Sequence, residues 1–458
     1  MKNISNYQGK NVLILGAGKS GINAANLLIQ LGAKVTMNDA QDKGKLTGLT
    51  ALSPKVKLIT GGHPDDLLDA DFDLMVKNPG INYDNVVVKK AMALKMPIIT
   101  EVELASEINE GQLICVTGSN GKTTTTTMIT EMLNQNRKSG HAYAVGNIGV
   151  SASKVAEQAH VDDTIVMEIS SFMLLGITEL HPHIAVLTNI FANHLDYHKT
   201  RENYVNAKMR ITMNQTADDY FVVNFDSDEL QELSNRSKAK IVPFSRLAKS
   251  KAGAYELNGK LYFKSDYIMD AEEVRIPGDQ NVENALAAIA VAKIMGKDNE
   301  SIRHVLMTFG GVRHRLQYVL TADGRKYYND SKATDIEATQ VALRGFHRPI
   351  VLLAGGLDRG YHFDKLIPDL KEHVKGIVLF GEAKHLLADA AQKAGIKSIE
   401  IVDNLDQAVP AAYHMSERGD IILLSPANAS WDQFKTFEER GERFIHDVEK
   451  LTGKQEEK

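Results

Sequence analysis

Between Gln112 and Leu133 the chain reads QLICVTGSNGKTTTTTMITEML: an apolar run, a glycine turn, then a helical pattern that begins about Lys122. A strand, turn and helix in this order aim backbone N–H groups and the positive end of the helix at one point, which makes an anion site suited to phosphate. Gly118, Ser119, Asn120 and Gly121 would form the cradle. Lys122 would neutralise terminal phosphates, and the hydroxyl of Thr123 or Thr124 would hold magnesium. Only two residues separate Gly118 from Gly121, where the usual P-loop has four. The alternative is a plain Gly-Asn turn before a threonine-rich helix start. Five consecutive threonines, Thr123 to Thr127, are poor helix formers, so something other than propensity has to keep them helical.

If the chemistry at such a loop is phosphorylation of a carboxylate, two anions must meet. At about 4 Å and an effective dielectric of roughly 20, each pair of unit charges repels by about 4 kcal/mol, so cations must line the site. Glu168 ends the apolar run TIVME, at the strand end where ligands bind in parallel sheets, and could hold a hard cation. His194 also follows an apolar run, in TNIFANHLDYH, and is read as a single metal ligand or phosphate contact. His198, four residues on, invites a zinc reading, but no Cys or acidic ligand stands at a zinc spacing, and it is read as a surface residue. Lys208, in YVNAKMRI, is by default a solvated lysine on a helix.

Short β-rich runs alternate with longer helical patterns along the whole chain, from NVLILG to DIILLS, which is the mark of parallel α/β layers. At 458 residues the chain exceeds one hydrophobic core, and three domains are the natural division. Two strand-then-glycine starts, at Gly16 and Gly118, place one boundary near 105–111, with EINEGQ as a linker. A second falls near 310–313, where TFGGVRHR follows an alanine-rich helix. The expected domains are 1–107, 108–311 and 312–458. The charged tail TGKQEEK reads as frayed.

Gly16, Gly18 and Gly21 satisfy G-x-G-x-x-G after a strand, and Asp39 follows at the distance of a ribose-binding acid. By itself this pattern would mean NAD or a merely structural loop. A net charge of −5 gives no broad basic surface for a nucleic acid. The polar start lacks the core of a signal peptide, and no apolar run approaches a membrane span, so a cytoplasmic protein is expected. The single cysteine, Cys115, sits in LICV and reads as a small buried hydrophobe.

The TGxNGKT form of the loop resembles the family of muramyl ligases and folylpolyglutamate synthases, which use ATP to form amide bonds. The resemblance extends over all three domains through GNIG (146–149), EISSF (168–172), TNIFANHLDYH, NALAAIA (284–290), RHRLQ (313–317), NDSKATD (329–335) and SPANASWDQFKTFEERG (425–441). It implies a Rossmann-like N-terminal domain, a central P-loop ATPase-type domain and a Rossmann-like C-terminal domain. NDSKAT and SPANASWDQFKTFEERG narrow it to a member that adds D-glutamate to UDP-N-acetylmuramoyl-L-alanine through an acyl-phosphate, in peptidoglycan precursor synthesis.

On that resemblance the first glycine loop serves the uridine diphosphate of the substrate, through Gly18, Lys19, Ser20 and Asp39, with Asn78 and Gly80 as a second substrate turn and Asn147 at the muramoyl group. Asn281 and Asn284 would face adenine, and Arg315 and Asp330 the phosphates and ribose of ATP. Lys332, Thr334, Ser430 and Phe437 would line the D-glutamate pocket. Thr123, Glu168, His194 and Lys208 would manage a pair of magnesium ions, Lys208 as a carbamate, and His194 would be a candidate for taking the amine proton. A monomer with small-molecule substrates is implied.

One position departs from the pattern. Where some members carry a lysine for the D-glutamate carboxylate, this chain reads LAGGLDRG and places Arg359; a planar, bidentate guanidinium differs in geometry from an ammonium. A folylpolyglutamate synthase would lack the N-terminal glycine-loop domain. A ligase adding lysine or diaminopimelate would carry Asp-Asn-Pro-Arg in its third domain, a run this chain does not have. A nucleotide-binding regulator or NAD dehydrogenase would bind its cofactor without amino-acid-dependent turnover.

Overall fold

A computed structural model of the chain describes residues 1–191, 194–360 and 362–457. They divide into two compact units, Met1–Met269 with Glu283–Arg303, and Asp270–Val282 with His304–Lys458. The first unit carries two sheets and the second carries one.

The N-terminal sheet contains β1 (Asn11–Leu15), β2 (Lys34–Asp39), β3 (Lys57–Thr60), β4 (Leu74–Lys77) and β5 (Ile98–Ile99). Its order is β3-β2-β1-β4-β5 and the pairings are parallel. The order reverses between β1 and β4, and a crevice opens outside the strand ends at such a reversal. Both expected substrate turns, after β1 and after β4, stand there.

The larger sheet contains β6 (Gln112–Thr117), β7 (Ala142–Gly146), β8 (Thr164–Glu168), β9 (Ile184–Leu187), β10 (Tyr220–Asn224) and β11 (Lys240–Ser245), then β12 (Ala254–Leu257), β13 (Lys260–Phe263) and β14 (Asp266–Asp270). The order is β14-β13-β12-β11-β10-β9-β6-β8-β7. β6 lies between β9 and β8, so the loops after these three strands are neighbours. The central strands are buried from end to end, as expected where helices cover both faces of a parallel sheet. Cys115 is fully buried in β6, and burial pushes its thiol well above the usual range.

The C-terminal sheet contains β15 (Gln317–Ala322), β16 (Arg325–Asn329), β17 (Ile350–Gly355), β18 (Val374–Phe380), β19 (Ser398–Ile401) and β20 (Ile421–Leu424). Its order is β15-β16-β20-β17-β18-β19, parallel except for the β15–β16 hairpin. The ends of β16, β20 and β17 are therefore side by side.

One expectation about connecting and terminal segments is narrowed and one, the frayed tail, is corrected. Half of the stretch read as a linker lies in regular elements: Glu101–Ile108 is helical and β6 begins at Gln112, leaving three residues between them. The helix is held by buried carboxylates. Glu103 accepts from the Thr178 hydroxyl at 2.8 Å and from the N–H groups of Thr178, Glu179 and Leu180, and Glu101 accepts from Ser151 Oγ and Ser153 N, each at 2.6 Å. One apolar core then runs from Val12 and Leu28 through Val102 and Ile108 to Ile165 and Leu187. The charged tail is likewise tied down: Glu457 donates its N–H to Val319 O at 2.8 Å, its carboxylate pairs with Arg275 at 3.0 Å, and Glu456 pairs with Arg313 at 3.2 Å.

Candidate active site

The phosphate loop follows β6, and the helix Lys122–Asn134 begins where the sequence placed it. Gly118 has φ +153°, and a Cβ there would lie 1.9 Å from Thr188 Oγ1; Gly121 has φ +81°, and a Cβ there would lie 2.2 Å from Asn284 Oδ1. Glycine at these positions is thus fixed by backbone conformation and by close neighbours. Bonds from the loop after β9 complete the turn: Ser119 N donates to Asn189 O, Asn120 N to Asn189 Oδ1, and Thr188 Oγ1 to Asn120 O at 2.7 Å.

The threonine run is held helical by specific bonds. Thr123 Oγ1 donates to Glu168 Oε2 at 2.7 Å, Thr125 Oγ1 to Asn284 Oδ1 at 3.2 Å, and Thr127 Oγ1 to Thr123 O at 2.8 Å. Glu168 is 1% exposed, and its other oxygen accepts from Asn147 Nδ2 at 2.7 Å. Asn147 thus stands beside the phosphate loop. Asn284 reaches the same loop, while Asn281, one turn earlier on the helix Asp279–Ile294, donates to Pro277 O at 2.6 Å.

Lys122 donates to Gly118 O at 3.0 Å and to Ser119 O at 2.9 Å; Lys208 donates to the same Gly118 oxygen at 2.8 Å. Two amines on one carbonyl make a poor place for a second charge. Lys208 is 2% exposed, and burial first, then the Lys122 charge, bring its pKa down to about 6. The solvated-lysine reading of Lys208 therefore fails. Four residues earlier, Tyr204 lies under the amine, 4.7 Å from ring centroid to Nζ, and its hydroxyl stands 2.9 Å from Ser119 Oγ.

His194 caps the short helix Leu195–His198 in a left-handed conformation, φ +54°, and its ring meets Phe172 edge-on at 4.9 Å. Burial lowers its pKa, helped by Lys122 and Lys208 and opposed by Asp196, so the imidazole is neutral near pH 7. His198 is a correction. It is 4% exposed, stacks on Phe172 at 5.4 Å, and its Nε2 is 2.9 Å from Ser171 Oγ; Tyr197 and Tyr204 also pack on it, and this burial depresses its pKa to about 4.

At the N-terminal crevice a cavity of about 440 Å³ is lined by Gly16, Gly18, Asp39 and Asn78, together with His63 and Asn85. The Asp39 carboxylate accepts from Ala17 N at 2.7 Å and Gln41 N at 2.9 Å, so it also shapes the glycine loop. Lys19 Nζ donates to Gly149 O at 2.6 Å, and Ser20 lies on the helix that follows the loop. Gly80 N donates to Asn78 Oδ1 at 3.2 Å, closing the second turn. Sequence reasoning missed Lys77, which is 1% exposed and donates to the carbonyls of Asn78, Pro79 and Ile81. The only signal for it was a lysine at the end of an apolar run.

In the second unit, Lys332 and Thr334 follow β16, Arg359 follows β17, Ser430 follows β20, and Phe437 opens the helix Phe437–Thr452. Neighbouring strand ends therefore bring four of the five expected pocket residues to one edge of the sheet, with Lys332 Nζ 5.3 Å from the Phe437 ring. The fully buried Arg440, also missed, donates to Ser331 Oγ and O, Gly355 O and Asn428 O and so ties the three loops together. Asp330 is buried, accepts from Leu316 N at 3.0 Å and Ser425 Oγ at 2.9 Å, and is raised by burial to about 7. Arg315 is exposed on the preceding turn.

Family models match three stretches: the Mur ligase MurD-like N-terminal domain over 10–100, the Mur ligase middle domain over 116–292, and the Mur ligase glutamate ligase domain over 314–428. Among curated relatives, a UDP-N-acetylmuramoylalanine--D-glutamate ligase of Ligilactobacillus salivarius is 61% identical, and one of Lactiplantibacillus plantarum 60% identical, each over 100% of both chains. Among solved structures, the UDP-N-acetylmuramate-alanine ligase of Thermotoga maritima is similar with a TM-score of 0.58 and 20% identity, covering 96% of this chain and 100% of its own. A MurF ligase of the same organism, in complex with ADP, has a TM-score of 0.57 and 17% identity over 98% of both chains. These two share the fold.

Proposed function

The chain belongs to the Mur ligase family, and we infer that within it the protein is the ATP-dependent ligase that adds D-glutamate to UDP-N-acetylmuramoyl-L-alanine in peptidoglycan synthesis. The observation that carries this from the geometry is the chain of bonds from Thr123 through Glu168 to Asn147 beside the phosphate loop. It brings a hydroxyl and a buried carboxylate together beside the phosphate loop, which supports that reading.

Those donors suit magnesium, a hard cation that takes few protein ligands and keeps water and phosphate oxygens. When bound, magnesium neutralises the phosphates. Thr123 and Glu168 would hold it, with His194 as a further ligand or phosphate contact.

Lys208 supports the carbamate reading because its amine is neutral at physiological pH. A neutral amine nitrogen adds to carbon dioxide, loses a proton and leaves a carboxylate. Such a group supplies the anionic ligand that a second magnesium ion would need.

In the reaction, Lys122 leaves its own loop carbonyls and turns to the terminal phosphates of ATP. The alanyl carboxylate attacks the γ-phosphorus, and ADP leaves. The amine of D-glutamate then attacks the acyl carbon and expels phosphate, its proton passing to the neutral His194 or to water. The protein's share is positioning and charge neutralisation. Gly18, Lys19, Ser20, Asp39, Asn78, Gly80 and Asn147 would hold the uridine substrate, Asn281, Asn284, Arg315 and Asp330 the rest of ATP, and Lys332, Thr334, Arg359, Ser430 and Phe437 D-glutamate. Domain limits at 107 and 311 fit the gaps between family matches, at 100–116 and 292–314. No described helix is long and apolar enough to cross a membrane. The nucleotide-linked substrate is what supports a cytoplasmic place of work.

The test is phosphate release from ATP with UDP-N-acetylmuramoyl-L-alanine and a panel of amino acids. Release that appears only with D-glutamate is expected; release indifferent to it, or preferring another amino acid, overturns the reading.

A further inference from the structure

Trp431 is the only tryptophan in the sequence, and it stands 66% exposed directly after Ser430. A single exposed apolar side chain is ordinary; what marks this one is the pair of groups beside it. The Arg359 guanidinium lies over its ring, 5.0 Å from the centroid. The two loops that carry this pair are fixed to each other by the backbone, since Leu357 N donates to Ala429 O at 2.9 Å. Around the contact, Gly360 N donates to Asp358 Oδ1 at 2.8 Å, Asp358 N to Glu382 Oε2 at 3.3 Å, and Glu382 N to Asp432 Oδ2 at 3.2 Å. Beside Trp431, the Ser430 hydroxyl is buried and has no hydrogen-bond partner among the described residues. A polar atom of that kind asks for a ligand.

We propose that Trp431 is a positioning residue for the amino-acid substrate, its indole holding the Arg359 guanidinium as a preset shelf for a substrate carboxylate. This rests on the assignment of Arg359 to D-glutamate. The physical case is the difference between the two cations: a guanidinium stacks flat on an aromatic face and still offers its edge N–H groups as a fork, whereas an ammonium gives a point charge on a mobile stem. An exposed arginine loses rotamer freedom when it clasps a carboxylate. One already stacked has lost much of it beforehand. Arginine at position 359 and tryptophan at position 431 thus form one device, and it is in the second residue that the departure at the first finds its explanation.

The experiment uses the full enzyme at saturating ATP and UDP-N-acetylmuramoyl-L-alanine. Trp431→Ala should raise KM for D-glutamate about threefold to fivefold, the range of an exposed cation–π contact, with kcat and KM for ATP unchanged, and Trp431→Tyr should restore most of the loss. In an Arg359→Ala background, Trp431→Ala should add nothing. If Arg359→Ala raises KM while Trp431→Ala does not, or if the two losses multiply in the double variant, the stack has no role and the proposal is overturned with the Arg359 assignment intact. If Arg359→Ala leaves KM unchanged, the assignment fails and the proposal with it.

Discussion

The phosphate loop and the amino-acid edge of the C-terminal sheet handle anions in opposite ways. The loop is closed on itself: Lys122 and Lys208 spend their protons on Gly118 O, Thr123 spends its hydroxyl on Glu168, and Asn120 is held from two sides by the loop after β9. The edge is left open, with Arg359 exposed and a buried Ser430 hydroxyl that has no partner among the described residues. A site for a ligand common to many enzymes can be prebuilt from backbone and neighbours. A site that selects one amino acid keeps its donors for that amino acid.

The comparison breaks most severely at Lys208. Lys208→Ala should cost about 10²–10³ in kcat, the size seen when one preset electrostatic group is removed, and short carboxylic acids should restore part of it if the amine acts as a carbamate. Acidity sharpens the point. The amine is neutral above its pKa of about 6 and protonated below it, so carbamate formation fails as pH falls through 6. Wild-type turnover should decline there, whereas the acid-rescued variant should show no loss at that midpoint. Full activity of Lys208→Ala without added acid would remove the role.

That contrast also decides what could be read from sequence. The loop was legible because its residues are consecutive: glycine spacing, Lys122 and Thr123 are one string, and the helix started where the string placed it. The pocket residues were found only through a resemblance, since Lys332, Arg359 and Ser430 come together because β16, β20 and β17 are adjacent, an order that no local pattern states. His198 went wrong for the same reason, being packed on Phe172 and Ser171, which are distant in sequence. Lys77 and Arg440 were invisible because buried cations without carboxylate hydrogen bonds look, in a string, like surface residues. Tyr204, at a helical spacing of four from Lys208, was within reach of periodicity.

A smaller effect tests whether the loop's closure matters. Gly121→Ala forces a left-handed alanine, a strain of about 1–2 kcal/mol, and drives its Cβ onto Asn284 Oδ1, which also receives the Thr125 hydroxyl. Thermal unfolding should drop by several degrees, and KM for ATP should rise about tenfold as the cradle opens. Unchanged values for both would mean that the loop tolerates slack.

The smallest effect separates the two regions most cleanly, because stability and binding should move in opposite directions. Removing a hydroxyl that holds the loop, as in Tyr204→Phe, takes away one partner of Ser119 Oγ, which also bonds the backbone of Phe191, and should destabilise by about 1 kcal/mol. Removing Ser430 Oγ takes away a buried group that has no partner among the described residues, so Ser430→Ala should leave the fold unchanged or stabilise it by about 1 kcal/mol. The same change should weaken D-glutamate binding about tenfold, the low end of the roughly 1.5–3 kcal/mol that a hydrogen bond to a charged group contributes, with KM for ATP untouched. Denaturant midpoints and D-glutamate KM values for the two variants are enough to read the result. A Ser430→Ala protein that is less stable, or that binds D-glutamate as before, would show that this hydroxyl is held by the protein and that the open edge is no different in kind from the closed loop.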